Sequence, residues 1–365
     1  IMAETTDYGL LPKLDEFWAG WQSLSTDPTN TSLRASLLDN ASNLANAFTV
    51  RTANITQLRN DQNLVVTDIV GQVNSLASLV ATLNGEISKV ISVGEQPNDL
   101  LDKRDMALDS LANLTGAVAF DQKNGEVTVS IGSHVLVVGH DAFKLKTLTN
   151  TTNPDVPVQD VVWEDNQKLL PPSGQLNGVI EIRDNFLVSQ QANLDKLAAA
   201  MITQVNAIHN TGYGPTTVTG TPNNFFTGTD ASDIAVNDVL VQDPGKIATA
   251  DAAGQIGNNA IAVKISNLKF QKVMGTGSLT MNEYYNGEIT YRSLLTSRAN
   301  DNTTQNNIVI KALSDQRQSV EGVSLDEEAA NMAKTQKAYQ AAARMMTAYD
   351  DLLDTVINRM GLVGR

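Results

Sequence analysis

The sequence predicts an α+β fold: an elongated long-helix bundle with a small inserted β domain and a C-terminal coiled-coil-like helix. Three observations predict it. An apolar stripe with steps of three and four runs for some sixty residues in the first third of the chain. A central stretch drops to a period of two and carries an Asn-Gly turn. A second narrow stripe closes the chain. The composition agrees: of 365 residues, 42% are hydrophobic and only 18% charged, and Asn and Thr occur 34 times each.

A short helix is expected around Leu11 to Leu24, carrying Trp18 and Trp21. The long helix follows, with Leu33, Leu37, Leu44, Phe48, Ile55, Leu58, Val65, Ile69, Val73, Leu76, Val80, Leu83, Ile87 and Val90 on its stripe. Pro28 and Asn30 supply its start, and Gly94 to Pro97 its stop. At ~1.5 Å per residue it spans roughly 90 Å, more than a globular enzyme needs. Asn98 is a candidate N-cap for a third helix, to about Leu114.

Val118 to Phe120 and Val127 to Ile131 then flank Lys123-Asn124-Gly125, a hairpin signal because Asn and Gly tolerate positive φ. Val135 to Val138, Phe143 to Leu148 and Val158 to Trp163 extend the β segment to Pro171-Pro172-Ser173-Gly174. Helix returns over Gln175 to Asn210, with Gly212 as C-terminal cap. Residues 213–256 read as loops with short extended pieces, followed by helices at Asn258 to Phe270 and Asn282 to Glu321. In the last helix Ser324 and Glu327 form a capping-box pattern, and Asp326, Glu327 and Glu328 favour the dipole of its first turn. The expected organisation is a helical domain in two parts (1–115 and 173–323), a β insertion (116–172) and a terminal helix (324–365).

Catalytic constellations are scarce. The absence of Cys excludes disulfides, Cys-based metal sites and a thiol nucleophile. His134, His140 and His209 lack the i, i+4 spacing of a helical metal motif. Gly275-Thr276-Gly277 lacks the third glycine of a dinucleotide loop, and no Walker or Gly-x-Ser-x-Gly motif occurs. Asp99 to Asp105 interleaves carboxylates with Lys103 and Arg104, the pattern of a salt-bridged surface. Asn54-Ile55-Thr56 and Asn113-Leu114-Thr115 match a glycosylation triplet that an Asn/Thr-rich chain produces by chance. No catalytic residue, metal site or cofactor is therefore expected. A net charge of −14 argues against nucleic acid and anionic membrane as partners. No apolar run approaches a membrane span of ~20 residues, and the N-terminus lacks a secretory pattern. Ile1 ahead of Met2 is not how translation begins and suggests an excised fragment.

What remains is an assembly surface. The last stripe runs through Leu325, Ala329, Met332, Gln336, Tyr339, Ala343, Met346, Asp350, Leu353, Ile357 and Met360. Its small residues permit close approach of a helix, and its methionines adapt to more than one surface. The ordinary alternative is a helix docked on its own domain. Leu325, Ala329, Met332, Gln336, Tyr339, Ala343, Met346, Leu353 and Ile357 are the expected partner-binding residues.

The run Ser324 to Met332, with Gln336, Tyr339-Gln340-Ala341 and Ala343-Arg344, resembles the C-terminal signature of the bacterial flagellar rod, hook and hook-associated axial proteins. Asp99-Leu100-Leu101-Asp102-Lys103-Arg104-Asp105 resembles a motif of the hook-associated protein 1 family within that group. Gly174 to Gly178 with Arg183-Asp184, Val205 to His209 with Gly212, and Asn224-Phe225-Phe226 resemble it too, in one order along nearly the whole chain. The resemblance implies a structural, non-enzymatic role: self-assembly into a ring at the hook–filament junction. Its implied partners are the hook protein, hook-associated protein 3 and a cytoplasmic export chaperone that holds the C-terminal helix. It also implies export through the flagellar type III apparatus to an extracellular site, and pairing of N- and C-terminal helices in an inner tube. The family's N-terminal helix is not present before Ile1. The alternatives are another axial protein, such as the hook or second junction protein, or a binding module using the β insertion around His134 and His140. An enzyme ranks last.

Overall fold

The computed structural model describes residues 9–152, 156–216, 223–322 and 325–359. They form an α+β protein. The chain divides into two compact units, 1–288 and 289–365, and the division falls within one continuous helix.

The first unit is organised on one helix. Helix α1 (Leu10–Thr26) leads into α2 (Thr31–Ser92), whose 62 residues run ~93 Å. Asn30 starts α2 as its pattern predicts: the side-chain oxygen accepts the N–H groups of Ser32 and Leu33. Helix α3 (Asn98–Thr115) differs by one residue from its expected start. Pro97 stands at the cap, where its carbonyl accepts the N–H groups of Leu100 and Leu101, and Asn98 makes no cap bond.

Six strands follow: β1 (Val118–Asp121), β2 (Val127–Ile131), β3 (His134–Val138), β4 (Asp141–Ala142), β5 (Lys146–Asn150) and β6 (Val158–Val162). The first four form an antiparallel sheet in chain order, and β5–β6 form a separate hairpin. In the β1–β2 turn Gly125 takes φ +83°, and Asn124 accepts the N–H of Glu126, which is the chemistry read from Asn-Gly. The chain enters this insertion at Gly116 and leaves it at Gly174, both with positive φ. A Cβ on Gly174 would lie 2.7 Å from the backbone nitrogen of Thr115, so the two crossings can touch only because a side chain is missing.

Helix α4 (Gly174–Glu181), a π turn (Ile182–Phe186) and α5 (Leu187–His209) occupy the stretch where the stripe predicts one helix. The π turn, wider than an α turn, rephases the chain so that Arg183 points into the body. Short elements then cover the α1 end: β7 (Phe226–Thr227), β8 (Ala235–Val236), α6 (Asp238–Gln242) and α7 (Ala260–Ser266). Among its described residues, the loop-rich reading of 213–256 meets these short strands, α6 and a 3-10 turn at Pro244–Lys246.

Two cores hang on α2. Near its start, Phe17, Trp18, Trp21, Phe225 and Phe226 form an aromatic cluster with centroids 4.9–6.4 Å apart. Farther along, Val66, Ile69, Val73 and Val80 pack on Ala107 and Leu111 of α3, Val129 and Ile131 of β2, and Leu176 of α4. By composition α2 holds an 18-residue window long and apolar enough to cross a membrane, with a mean hydropathy of 1.5. The same helix anchors the β insertion by hydrogen bonds, so its apolar face serves a core.

Helix α8 (Met281–Glu321) passes from the first unit into the second, where α9 (Leu325–Asp354) and a π turn (Thr355–Arg359) follow. Ser324 of the capping-box pattern and Met360 lie outside the described residues.

Candidate functional site

The described residues hold no group of three metal-capable side chains. His134 and His140 do not meet. His134 stacks on Trp163 (5.2 Å, 18°) and contacts Gln167 Oε1 at 3.1 Å. His140 pairs with Glu126 at 3.0 Å and lines an open depression of about 470 Å³, whose lining does not include His134.

The sequence motifs of the first unit are fold-locking devices. Three asparagines of α2 each offer both ends of the carboxamide to backbone of the β insertion. Asn63 Oδ1 accepts the Gln159 N–H (3.0 Å) while its Nδ2 donates to the Pro157 carbonyl (2.9 Å). Asn74 takes both backbone groups of Leu145 (2.8 and 2.9 Å), and Asn84 both of Val127 (3.1 and 2.8 Å) plus the Gly139 carbonyl (2.8 Å). An amide can do this because it carries a donor and an acceptor side by side, as a peptide unit does. Arg104, in the acid-and-base run of α3, is not a surface residue: it is buried and donates to the Gly125 carbonyl (2.6 Å) and to Asn84. Arg183 grips Asp184 through two bonds (2.7 and 2.9 Å) and reaches Asn63 Oδ1 and the Gln159 carbonyl.

At the other core, Asn206 clamps the backbone of Phe225 and Phe226. His209, beside it, is buried: its Nδ1–H donates to the Asn223 carbonyl (2.6 Å) and Nε2 accepts the Ala248 N–H (3.0 Å). Burial, with Arg34 nearby, lowers its pKa to about 4 despite the Asn223 bond. Arg34 is itself buried and donates to the carbonyls of Pro28, Pro244 and Ile247 and to Thr249, and burial lowers its pKa to about 10. A neutral imidazole and carbonyl-bound guanidinium satisfy backbone; neither is aimed at a cleft.

Helix α9 is the opposite case. From Asp326 to Ile357 every residue is exposed, including the apolar ones. Ala329, Met332, Gln336, Tyr339, Ala343 and Met346 lie on one face, which continues through Leu353 into Ile357 on the π turn. Tyr339 is 77% and Met346 73% exposed. Leu325 opens the helix, and its side chain lies outside the described residues. The stripe omits Met345, Tyr349, Leu352 and Val356, which are exposed beside it. Their steps of four, three and four set a second apolar row against Met346, Leu353 and Ile357, so the band widens toward the helix end. The signal is present in the sequence as a second apolar residue immediately before each stripe position from Met346 onward. Contiguous apolar surface of this breadth is uncommon on monomeric soluble proteins. The far part of α8 adds exposed Ile308, Val309, Ile310 and Leu313.

Comparison with known proteins gives the same direction. Residues 1–226 match the helical domain of flagellar hook-associated protein FlgK. Residues 316–360 match the C-terminal region of flagellar basal body rod FlgEFG proteins. The chain is 28% identical over 400 residues to flagellar hook-associated protein 1 of Bacillus subtilis, covering 100% of this chain and 79% of that relative. To the Escherichia coli protein of the same name it is 24% identical over 450 residues, covering 98% and 82%. The solved structure of the flagellar hook junction protein FlgK from Burkholderia pseudomallei shares the fold, with a TM-score of 0.74 and 16% identity over 87% of this chain and 94% of that one.

Proposed function

The chain belongs to the FlgK family of flagellar hook-associated proteins, and on that premise we propose that it builds the hook–filament junction by self-assembly into a ring through the apolar band of α9. It is a structural flagellar component and not an enzyme. The observation that carries the proposal is the exposure of the α9 band, which has no covering element among the described residues. Ala329, Met332, Gln336, Tyr339, Ala343, Met346, Leu353 and Ile357, with Leu325 at the start, are the proposed partner-binding residues. Burying one large apolar side chain contributes about 1.5–3 kcal/mol, so a few of them on each copy make a firm joint.

The same band is the proposed seat of a cytoplasmic export chaperone, by helix-in-groove recognition. Passage through the flagellar type III apparatus to the extracellular junction, with the hook protein on one side and hook-associated protein 3 on the other, completes the proposal. The division into 1–115, 116–172, 173–323 and 324–365 belongs to it as well.

The test is the double variant Met346→Asp, Leu353→Asp. In a strain lacking its own copy of the protein, the variant is expected to leave hooks without filaments, and the purified chain to lose chaperone binding by titration calorimetry. Normal filaments would refute the assembly role; unchanged chaperone binding would separate the two surfaces.

A further inference from the structure

Helix α9 has a second face. Opposite the stripe through Met332, Tyr339, Met346 and Leu353, and beside the second row at Met345 and Leu352, the residues Ala330, Lys334, Lys337, Ala341, Arg344 and Ala348 recur at steps of four and three, all of them exposed. Between Glu328 and Asp350 the helix carries these three bases and no acid. Small residues and cations therefore share one face of the helix.

The first unit carries a surface of matching character. Helices α2 and α3 leave an open groove of about 1020 Å³, lined by Leu64, Thr67, Asp68, Gly71 and Ser75 of α2 and by Ser110 of α3, among others. Leu64 is 72% exposed there. A Cβ on Gly71 would meet nothing within 4 Å, so the floor is free. The hydroxyls of Thr67, Ser75 and Ser110 are each tied to the carbonyl four residues back in their own helix (2.9–3.0 Å), so covering them strands no donor. The rim is acidic: Asp61 and Asp68 are exposed and are held only by the neutral amides of Gln57 and Gln72. From Asn60 to Ser88 α2 carries no base. Asp61 and Asp68 are seven residues apart, as are Lys337 and Arg344; two turns of helix set each pair ~10.5 Å apart.

We propose that the Ala/Lys/Arg face of α9 docks in the α2–α3 groove of a second copy of this chain. The occupant follows from charge complementarity and matched spacing: alanines meet the small floor, and Lys337 and Arg344 straddle it onto Asp61 and Asp68. The stripe through Met332, Tyr339, Met346 and Leu353 points away from this contact, while Met345 and Leu352 of the second row flank it, so one helix serves two partners at once. The proposal deepens the self-assembly reading and rests on it by naming a surface of the body that meets the next copy.

The chain has no cysteine, so introduced thiols report contacts without background. Leu64→Cys and Ala341→Cys versions of this chain are mixed and oxidised; only a contact between copies can link them. A disulfide-linked heterodimer is expected, suppressed by high salt. Asp61→Lys with Asp68→Lys in the first chain should lower the link about tenfold, and Lys337→Asp with Arg344→Asp in the second should restore it. All four positions are exposed, and unchanged circular dichroism confirms that the variants fold. The proposal is overturned if Leu170→Cys, exposed on the same body, links equally well, or if reversal has no effect or is not rescued. Adding Met346→Asp and Leu353→Asp to the Ala341→Cys chain is expected to leave the link intact. Loss of the link there would likewise overturn the groove contact, because one surface would then be doing both jobs. The hook-and-filament assay reads the α9 band separately, so failure of the groove contact and failure of the assembly reading are distinguishable.

Discussion

At the residue scale, the first unit is held by side chains that imitate or satisfy backbone. Asn63, Asn74 and Asn84 stand eleven and ten residues apart on α2, three turns each, and so recur on one side of the helix. Each gives backbone of the β insertion a donor and an acceptor together, as a neighbouring peptide would. Replacing Asn84 by Ala would strand a buried N–H and two carbonyls. A loss of about 2–4 kcal/mol is expected in urea unfolding, against less than about 1 kcal/mol for Asn60→Ala on the exposed side. His209 makes the pH-sensitive contribution. Its folded pKa, about 4, lies below the unfolded value near 6.5, so the unfolded chain binds the extra proton. Stability from this group is complete above pH ~6.5, falls as the pH drops toward 4, and is constant below that. The loss is about 3 kcal/mol across this window. His209→Gln, which can keep one donor and one acceptor, is expected to flatten the dependence of the urea midpoint between pH 6.5 and 4; an unchanged slope would assign it to other groups. Neither role is legible in spacing. An apolar stripe reports which face is buried, whereas a buried Asn or His is defined by a carbonyl or N–H far away in the chain, such as Pro157 for Asn63.

At the element scale, α2 and α8 show two ways of being a long helix. The apolar rows of α2 are covered on two sides, by α1 and α5 near its start and by α3 and the β insertion farther on. This explains why Leu38, Ala45, Val66, Val70, Ala77 and Ala81 are buried beside the single stripe that the pattern marks. The segment 297–307 of α8 is exposed on every side and consists largely of Asn, Asp, Thr and Ser, which are weak helix formers. Thr303 and Thr304 also bond back to carbonyls one turn earlier. Amide exchange should therefore be faster in 297–307 than in 66–80 of α2 by at least a factor of ~1000, measured by mass spectrometry on the intact chain. Equal protection would mean that α8 is covered in solution. The π turn at Ile182–Phe186 is invisible in the stripe, because one extra residue in a turn shifts the phase without removing the periodicity. The tertiary gain is local: it lets Arg183 reach Asn63 and Gln159 at once.

At the scale of the whole molecule, the residues that hold the fold and those proposed for assembly lie apart in the chain. The two cores and the buried polar clamps lie in residues 1–288, while the apolar band proposed for assembly lies in 289–365. Met346→Asp with Leu353→Asp should consequently leave the thermal midpoint of the first unit within about 1 °C of the parent while abolishing assembly, since neither side chain packs in a core. A fall of several degrees would place the band inside the fold instead. The sequence by itself determined the kinds of element and their order, the lack of thiol chemistry, the Asn-Gly hairpin and the stripe of α9. These are local properties, set by period, turn chemistry and composition. Only the tertiary structure decided that Arg34, Arg104, Arg183, Asn84 and His209 are interior, that one predicted helix is interrupted, and that the α9 band is uncovered. Each depends on what lies across space from a side chain, and a polar group is buried only where distant backbone meets its hydrogen-bonding demand.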